Sequence, residues 1–447
     1  MVHAAVRAGG AAGRAARGRI RRRGLDLATT PGRLWLVLIG LVLLSLAWGA
    51  LAAFTATRYS AAAASVVSTR EPLSLDAQRI YARLSDANDA ATTAFLTGGI
   101  EPAATVARYQ ADIAAAEAGI QSATAQGEAG TGDAARDLNA LAADLPAYTQ
   151  EIGNASADNR LALPLGAAYL REASGFMRTA LLPDAKDLYA AENASLSGAS
   201  AAATGLPLFC VTLATGLAAG YLLLRASRWL RGRTNRVLNV GLVAAALLVV
   251  ISLAWLAAAY AGARGDLLRA QARGSATVEA VAQAGIAVQE AHGDESLTLI
   301  DNTGDDAYQA DYRKQERALG PGPGTLLSAA AAAASGSPAA PAVAAAASDT
   351  RAWFAAHGRV RSLDEHGNHP EAVASVLGTR PGDAGASFAR LSGDLTSAIT
   401  SDQAVFDSTA RSASAAYTAL EAGLTAAALL MAAACAWGLS RRLAEYR

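Results

Sequence analysis

Four segments of the chain are apolar over the length that a helix needs to cross a membrane. They are residues 34–54, 205–224, 237–261 and 422–439, and none has an acidic or basic residue in its middle. A helix rises 1.5 Å per residue, so about 20 residues span a hydrocarbon core about 30 Å thick. The first segment is longer than the apolar core of a signal peptide, which favours an uncleaved anchor. The sequence therefore predicts an all-α membrane protein with four transmembrane helices.

The distribution of charge predicts the orientation of these helices. The formal net charge is zero, but residues 1–33, 225–236 and 440–447 together carry +14, while residues 55–204 and 262–421 together carry −14. Loops rich in Arg and Lys stay in the cytoplasm. We therefore expect a multi-pass protein of the plasma membrane with both termini cytoplasmic and two long segments outside the cell.

The order of these segments predicts a tandem architecture, in which a span, an outer segment and a span occur twice. The predicted parts are a basic cytoplasmic arm (1–33), the first span (34–54), a first extracytoplasmic helical sensor domain (55–204), the second span (205–224), an Arg-rich cytoplasmic loop (225–236), the third span (237–261), a second extracytoplasmic helical domain (262–421), the fourth span (422–439) and a cytoplasmic tail (440–447).

Both outer segments are rich in helix-forming residues and poor in β-branched and aromatic runs, which predicts helical bundles resembling four-helix bundles. In the first segment we predict helices over 74–96, 102–120, 133–152 and from about 165 towards the membrane, with a kink at Pro183. In the second we predict helices near 263–299, 349–361 and 381–418. Residues 320–348 are low in complexity and rich in Pro, Gly and Ala, so we expect a flexible or poorly ordered insert there.

The sequence offers little catalytic chemistry, and we expect no enzyme, no cofactor, no metal and no nucleic-acid partner. It contains no phosphate-binding loop, dinucleotide-binding loop or Ser/His/Asp signature. The acidic and histidine-containing stretch 363–372 supplies fewer well-spaced ligands than a zinc site normally has, so a solvated loop is the favoured interpretation. Cys210 and Cys435 both lie in predicted spans, at different depths, which predicts no disulfide.

The predicted cytoplasmic segments are too short for a kinase, cyclase or methyl-accepting domain. A signal received outside must therefore pass to a separate soluble partner. The Arg-rich loop is the candidate contact surface, because arginines suit an acidic partner, although attachment to anionic lipid headgroups explains them equally well. Its arginines are Arg225, Arg228, Arg231, Arg233 and Arg236.

In the first outer segment, four residues are candidates for contact with a ligand or a partner. They are Asn159, Arg160, Arg171 and Glu172. A guanidinium group can hold a carboxylate by paired hydrogen bonds. The alternative is that both arginines bridge to acids on neighbouring helices.

Three stretches carry a resemblance to a known family. They are "LSDANDAATTAFLTGGIEPAATVARYQADIAAA" (84–116), "NRLALPLGAAYLREASGFMRTALLPDAKDLY" (159–189) and "GDESLTLI" (293–300). With the four spans and paired outer segments, the chain resembles the GlnX-type membrane proteins of actinobacteria. The resemblance implies two partners, an extracytoplasmic GlnH-like lipoprotein that binds glutamate or glutamine and a cytoplasmic PknG-like Ser/Thr kinase. It assigns no binding residues.

Two classes of function therefore remain at this point. The first is a non-enzymatic transmembrane signal relay that couples sensing of glutamate, aspartate or glutamine outside the cell to a Ser/Thr kinase inside. Its expected partners also include membrane lipids and, as one alternative, further copies of the same chain. The second is a membrane subunit of a transporter or a scaffold of the cell envelope. Transport would favour polar residues at the middle of the spans, and the four segments have few.

Overall fold

The computed structural model describes residues 30–126, 132–234, 240–270, 276–301 and 307–444, and within these ranges the fold is helical throughout, with no β-strand. Four stretches of helix are long and apolar enough to cross a membrane: Trp35–Leu96, Leu165–Trp229, Val240–Ala270 and Ala384–Gly438. These observations confirm the predicted all-α class and the four candidate spans.

Contacts divide the chain into two compact units. The membrane unit comprises the described parts of residues 1–51, 212–253 and 424–447, and the outer unit comprises those of residues 52–211 and 254–423. Both long segments that we predicted to be outside the cell therefore belong to a single unit.

Small residues and a few polar contacts hold the helices of the membrane unit together. A Cβ atom at Gly216 would lie 2.6 Å from both Trp48 and Leu253, so only glycine permits this approach. Trp48 also donates its indole N–H to the carbonyl of Thr212 at 3.3 Å. Many large apolar side chains, Leu43 among them, are exposed in this unit, as expected for surfaces that face lipid.

The first half of the outer unit is built from helices that follow one another closely. They are α1 (Thr30–Ser65), α2 (Glu71–Leu96), α3 (Ala103–Gln126), α4 (Asp133–Arg160), α5 (Leu165–Phe176) and α6 (Leu182–Thr204). π-Helical turns at Val66–Arg70 and Met177–Leu181 join α1 to α2 and α5 to α6. The second π turn lies directly before Pro183, where the sequence predicted a kink.

An aliphatic core fills this first half. Ile80 and Leu84 of α2 are fully buried and belong to one apolar cluster with side chains from α3, α4, α5 and α6. Tyr148 on α4 lies fully buried in the same core. The first half is thus the helical bundle that the sequence predicted, with α4 longer than expected at its carboxyl end.

The remaining helices are divided between the membrane unit and the second half of the outer unit. They are α7 (Leu206–Thr234), α8 (Val240–Ala270), α9 (Ala276–Ile300), α10 (Ala307–Leu319), α11 (Leu326–Ala333), α12 (Ala340–Glu365), α13 (His369–Val376) and α14 (Ala384–Ala444). Helix α10 was not predicted. The second core contains aromatic side chains, with Trp353 and Tyr312 fully buried and Phe388 nearly so.

The prediction that residues 320–348 form a poorly ordered insert is wrong. The stretch forms α11 and the start of α12, and Ala330, Ala339 and Ala346 are fully buried in the second core. Alanine is the best helix former, and its small side chain lets helices approach closely. Thr325 caps α11 by accepting a hydrogen bond from the backbone N–H of Ser328. Low complexity here reflects tight helix packing.

The arginine-rich segment 225–236 is also not the loop that we predicted. Helix α7 continues to Thr234, so most of the segment is helical. Arginine is a good helix former, and its charge does not interrupt helical structure.

Candidate functional site at the contact of helices α2 and α9

The residues proposed for contact outside the cell are distributed over separate places. Asn159 and Arg160 lie at the end of α4, where the Asn159 amide donates to the carbonyl of Phe95 at 3.3 Å and Arg160 pairs with Glu101 at 3.4 Å. Arg171 on α5 pairs with Asp301 at 3.4 Å, and Glu172 is exposed. Both arginines therefore have acidic partners, as the alternative interpretation expected.

Two arginines of the proposed cytoplasmic surface have described side chains. Arg225 and Arg228 are exposed on α7. Arg231 and Arg233 lie on the same helix, and Arg236 lies outside the described residues.

The acidic stretch 363–372 is held by ion pairs. Asp364 contacts both Arg361, at 3.0 Å, and His369, at 2.7 Å, and Arg361 also reaches Glu365 at 3.4 Å. In the part of the chain that the structure describes, no three His, Cys, Asp or Glu side chains are arranged to hold a metal ion.

A site that sequence reasoning missed lies where α2 of the first half contacts α9 of the second half. Asp89 is fully buried and accepts a short hydrogen bond from Nδ1 of His292. Asp89 also forms an ion pair with Arg108 of α3, in which Nη2 of Arg108 lies 3.3 Å from Oδ2 of Asp89. The imidazole of His292 is stacked on Phe388 of α14, with ring centroids 3.7 Å apart. A single buried carboxylate thus connects α2, α3 and α9.

A second ion pair crosses between the two halves close to the first. Arg178, in the π turn after α5, donates to Asp294 of α9 at 2.6 Å and lies 3.8 Å from Asp311 of α10. The guanidinium of Arg178 also lies over the ring of Tyr308, 5.3 Å from its centroid. The π turn therefore places a cation against the acidic face of α9.

The next residue of α9 turns into the second core. Glu295 is fully buried; its Oε1 accepts from Nδ1 of His357 at 2.7 Å, and its Oε2 accepts from the indole N–H of Trp353 at 3.3 Å. Tyr312 is stacked on the His357 ring, with centroids 3.6 Å apart. Buried carboxylates normally need such partners, because an unpaired charge in a low-dielectric interior is strongly unfavourable.

Burial changes the acidity of several groups at this contact. Burial raises the pKa of Asp294 to about 7, against the opposing effect of Arg178. Burial also raises the pKa of Asp86 to about 7, and the neighbouring Asp112 adds to this increase. For His292, burial lowers the pKa, but the Asp89 carboxylate outweighs it and leaves the pKa above its usual value. The pKa values of Asp294 and Asp86 therefore lie near neutrality.

The sequence held little signal for this site. The residues one helical turn before and after Asp89 are all polar, so apolar periodicity does not indicate that its side chain is buried. A buried acid implies a buried partner, but it does not identify the partner. His292 is 203 residues away from Asp89 in the chain. No local pattern relates two residues at that separation.

Comparison with known proteins finds a similarity for the first half of the outer unit. Residues 62–201 match the model of a family described as an actinobacterial sensor domain. No curated protein and no solved structure matches the chain. The matched range runs from the end of α1 to near the end of α6, so it includes Asp89, Arg108 and Arg178 of the contact described above. Residues 62–201 are therefore similar to an actinobacterial sensor domain, and this half meets the second half through charged pairs.

Proposed function

We propose that the protein is a non-enzymatic transmembrane signal relay. In this proposal the outer unit responds to an amino-acid cue, presented by a solute-binding lipoprotein, and the cytoplasmic segments control a Ser/Thr protein kinase. The protein sits in the plasma membrane with both termini in the cytoplasm. The observation that carries the proposal is the sensor-family match of residues 62–201 in a chain with four helices able to cross a membrane.

The contact between α2 and α9 supports a relay rather than two independent domains. Asp89–His292 and Arg178–Asp294 join the matched half to the second half; the first pair is buried, and in the second Asp294 is buried while Arg178 is half-buried. Packed, charged interfaces have discrete arrangements, so a change in one half alters the other. Helix α14 runs from Ala384 to Ala444 without interruption, and a shift of 1–2 Å along such a helix is of the size seen in other signalling interfaces.

The identities of the two partners come from the resemblance of the chain to GlnX-type proteins. It supports a GlnH-like lipoprotein outside and a PknG-like kinase inside. The charge pattern supports an acidic surface on the kinase, since the proposed cytoplasmic segments carry a net charge of +14.

The test is recruitment of the kinase to vesicles that contain the full-length protein. We expect the PknG-like kinase to sediment with these vesicles, and less of it at high salt, because exposed charges are screened. Addition of the GlnH-like lipoprotein with glutamate should change the kinase activity in the same vesicles. Absence of sedimentation at every salt concentration, with no change in activity, would overturn the relay.

A charge-reversed variant tests whether the arginines of α7 form the surface that binds the kinase. Changing Arg228, Arg231 and Arg233 to Glu should reduce sedimentation of the kinase, provided that protease protection shows an unchanged topology. The matched control changes Arg351, Arg359 and Arg380 of the outer unit to Glu and should leave sedimentation unchanged. Normal recruitment by the first variant would move the contact to the basic arm or the tail.

A further inference from the structure

A cavity of about 400 Å³ lies between the two halves of the outer unit. Helices α2 and α6 of the first half form one side, and α9 and α10 of the second half form the other. Its volume falls within the range of small-molecule sites, which occur preferentially at contacts between domains. It is separate from the charged pairs described above, although α2 and α9 contribute to both.

One wall residue has a side-chain amide without a partner. Gln78 on α2 is only 8 % exposed as a residue, and it lines the cavity. Among the described residues, none forms a hydrogen bond with its side-chain amide. The amide of Gln78 is therefore available to a molecule in the cavity.

The cavity wall also carries charges of both signs. Glu279 and Glu290 lie on α9, and Lys186 lies on α6. Glu290 accepts hydrogen bonds from Tyr81 and from Gln315, the latter at 2.5 Å, and these hold its carboxylate in place. Glu279 accepts only from Asn193, at 3.3 Å, among the described side chains. Lys186 makes no ion pair with any described residue.

The charges of the cavity wall favour a ligand that carries both a positive and a negative group. An anion would meet two carboxylates, and a simple cation would meet Lys186. A molecule with one carboxylate and one ammonium group satisfies both sides, because each of its charges finds an opposite charge. The ring of Tyr189 and the side chain of Ile286 add apolar surface for the rest of the ligand.

We propose that this cavity binds a small zwitterionic solute, whose carboxylate is held by Lys186 and the Gln78 amide and whose ammonium group is held by Glu279. A ligand there contacts both halves at once and stabilises one arrangement of α2 against α9. The inference rests on the proposed function in taking the outer unit as the sensing part. It differs in giving the outer unit its own ligand, at residues other than Asn159, Arg160, Arg171 and Glu172.

The test is calorimetric titration of the full-length protein in lipid nanodiscs, with the twenty amino acids and glycine betaine added one at a time. We expect saturable binding of at least one of them. Lys186→Gln and Gln78→Leu should each weaken it about tenfold or more, the loss expected when a hydrogen bond to a charged group is removed. Arg351→Gln, at an exposed cation on α12 that does not line the cavity, is the matched control and should bind normally.

Ala190→Leu provides an independent variant, since Ala190 is an exposed wall residue whose enlargement fills the cavity without disturbing a core. It should abolish binding. No binding by any of the twenty-one solutes overturns the inference, as does binding that survives in Lys186→Gln and Ala190→Leu. Neither result bears on recruitment of the kinase, which is measured without these solutes, so failure of the cavity and failure of the relay are distinguishable.

Discussion

The two halves of the outer unit stabilise buried carboxylates in different ways. In the first half, Asp89 and Asp112 are paired with Arg108 and Arg83, whose side chains reach in from the surface and remain about half exposed. In the second half, Glu295 is paired with residues that are themselves buried, His357 and Trp353. Arginine stays charged at every pH that a cell meets, whereas histidine changes its charge near neutrality.

This difference extends to the cores. The first half is packed with aliphatic side chains around Tyr148, while the second combines large aromatic rings with alanines from an alanine-rich stretch. Asp89 has both kinds of partner, an arginine and a buried histidine, because it binds Arg108 of its own half and His292 of the other. The comparison indicates that each half has its own core, although Leu297 of α9 also packs into the first core.

The largest expected effect comes from removing the shared carboxylate. Asp89→Ala leaves His292 and Arg108 without their partner, and breaking a buried pair in this way costs about 3–5 kcal/mol. Hydrogen exchange of the full-length protein in nanodiscs should show faster exchange in both α2 and α9, by about 100-fold or more, since 1.4 kcal/mol corresponds to tenfold.

Asp133→Ala is the matched control. Asp133 pairs with Arg136 at the exposed start of α4, where solvent screens the ion pair and it contributes little to stability. Exchange should remain nearly unchanged in this variant. Equal effects of the two substitutions would contradict the special position of Asp89 between the halves.

Much of this fold is predictable because it follows from strong local patterns. The four spans come from uninterrupted apolar length, and the first-half helices come from apolar periodicity closed by Gly98, Gly99 and Pro102. The alanine-rich stretch 320–348 was misread because alanine gives no contrast between an apolar and a polar face. Its helices are visible only once the partners of Ala339 and Ala346 are known.

The site was less predictable than the fold, for a related reason. Arg160 and Arg171 attracted attention as possible ligand groups, but each is held by an acid, Glu101 and Asp301 respectively. The pairing of Asp89 with His292 depends on the docking of two halves with no clear sequence repeat between them. The sequence neighbours of Asp89 one helical turn away are polar, so no apolar helix face indicated that it is buried.

A smaller effect tests the alanine-rich core of the second half. Ala346→Leu inserts a large side chain at a fully buried position, and such overpacking costs about 1–3 kcal/mol. Hydrogen exchange should accelerate in α9, α12 and α14 and stay normal in α3 and α4. Ala345→Leu, at the exposed neighbouring position, is the control and should have no effect. Acceleration spread equally over both halves would mean that they unfold as one cooperative unit, against the comparison drawn above.

The smallest effect depends on pH and concerns Asp86 in the first half. Its pKa in the folded protein is about 7, above the usual value of 3.8, so the folded state binds this proton more tightly than the unfolded state. Stability from this group is therefore complete below about pH 4 and is lost as the pH rises to about 7. Asp86→Asn carries no charge and should stabilise α2 by about 1 kcal/mol at pH 8. This is less than the full free energy that corresponds to the pKa shift, because the Asp86 side chain keeps partial contact with water. The gain should vanish at about pH 4, and hydrogen exchange of α2 in the variant and the unaltered protein at both values is the measurement. A gain of equal size at pH 4 would show that the amide acts through packing and that Asp86 does not titrate near neutrality.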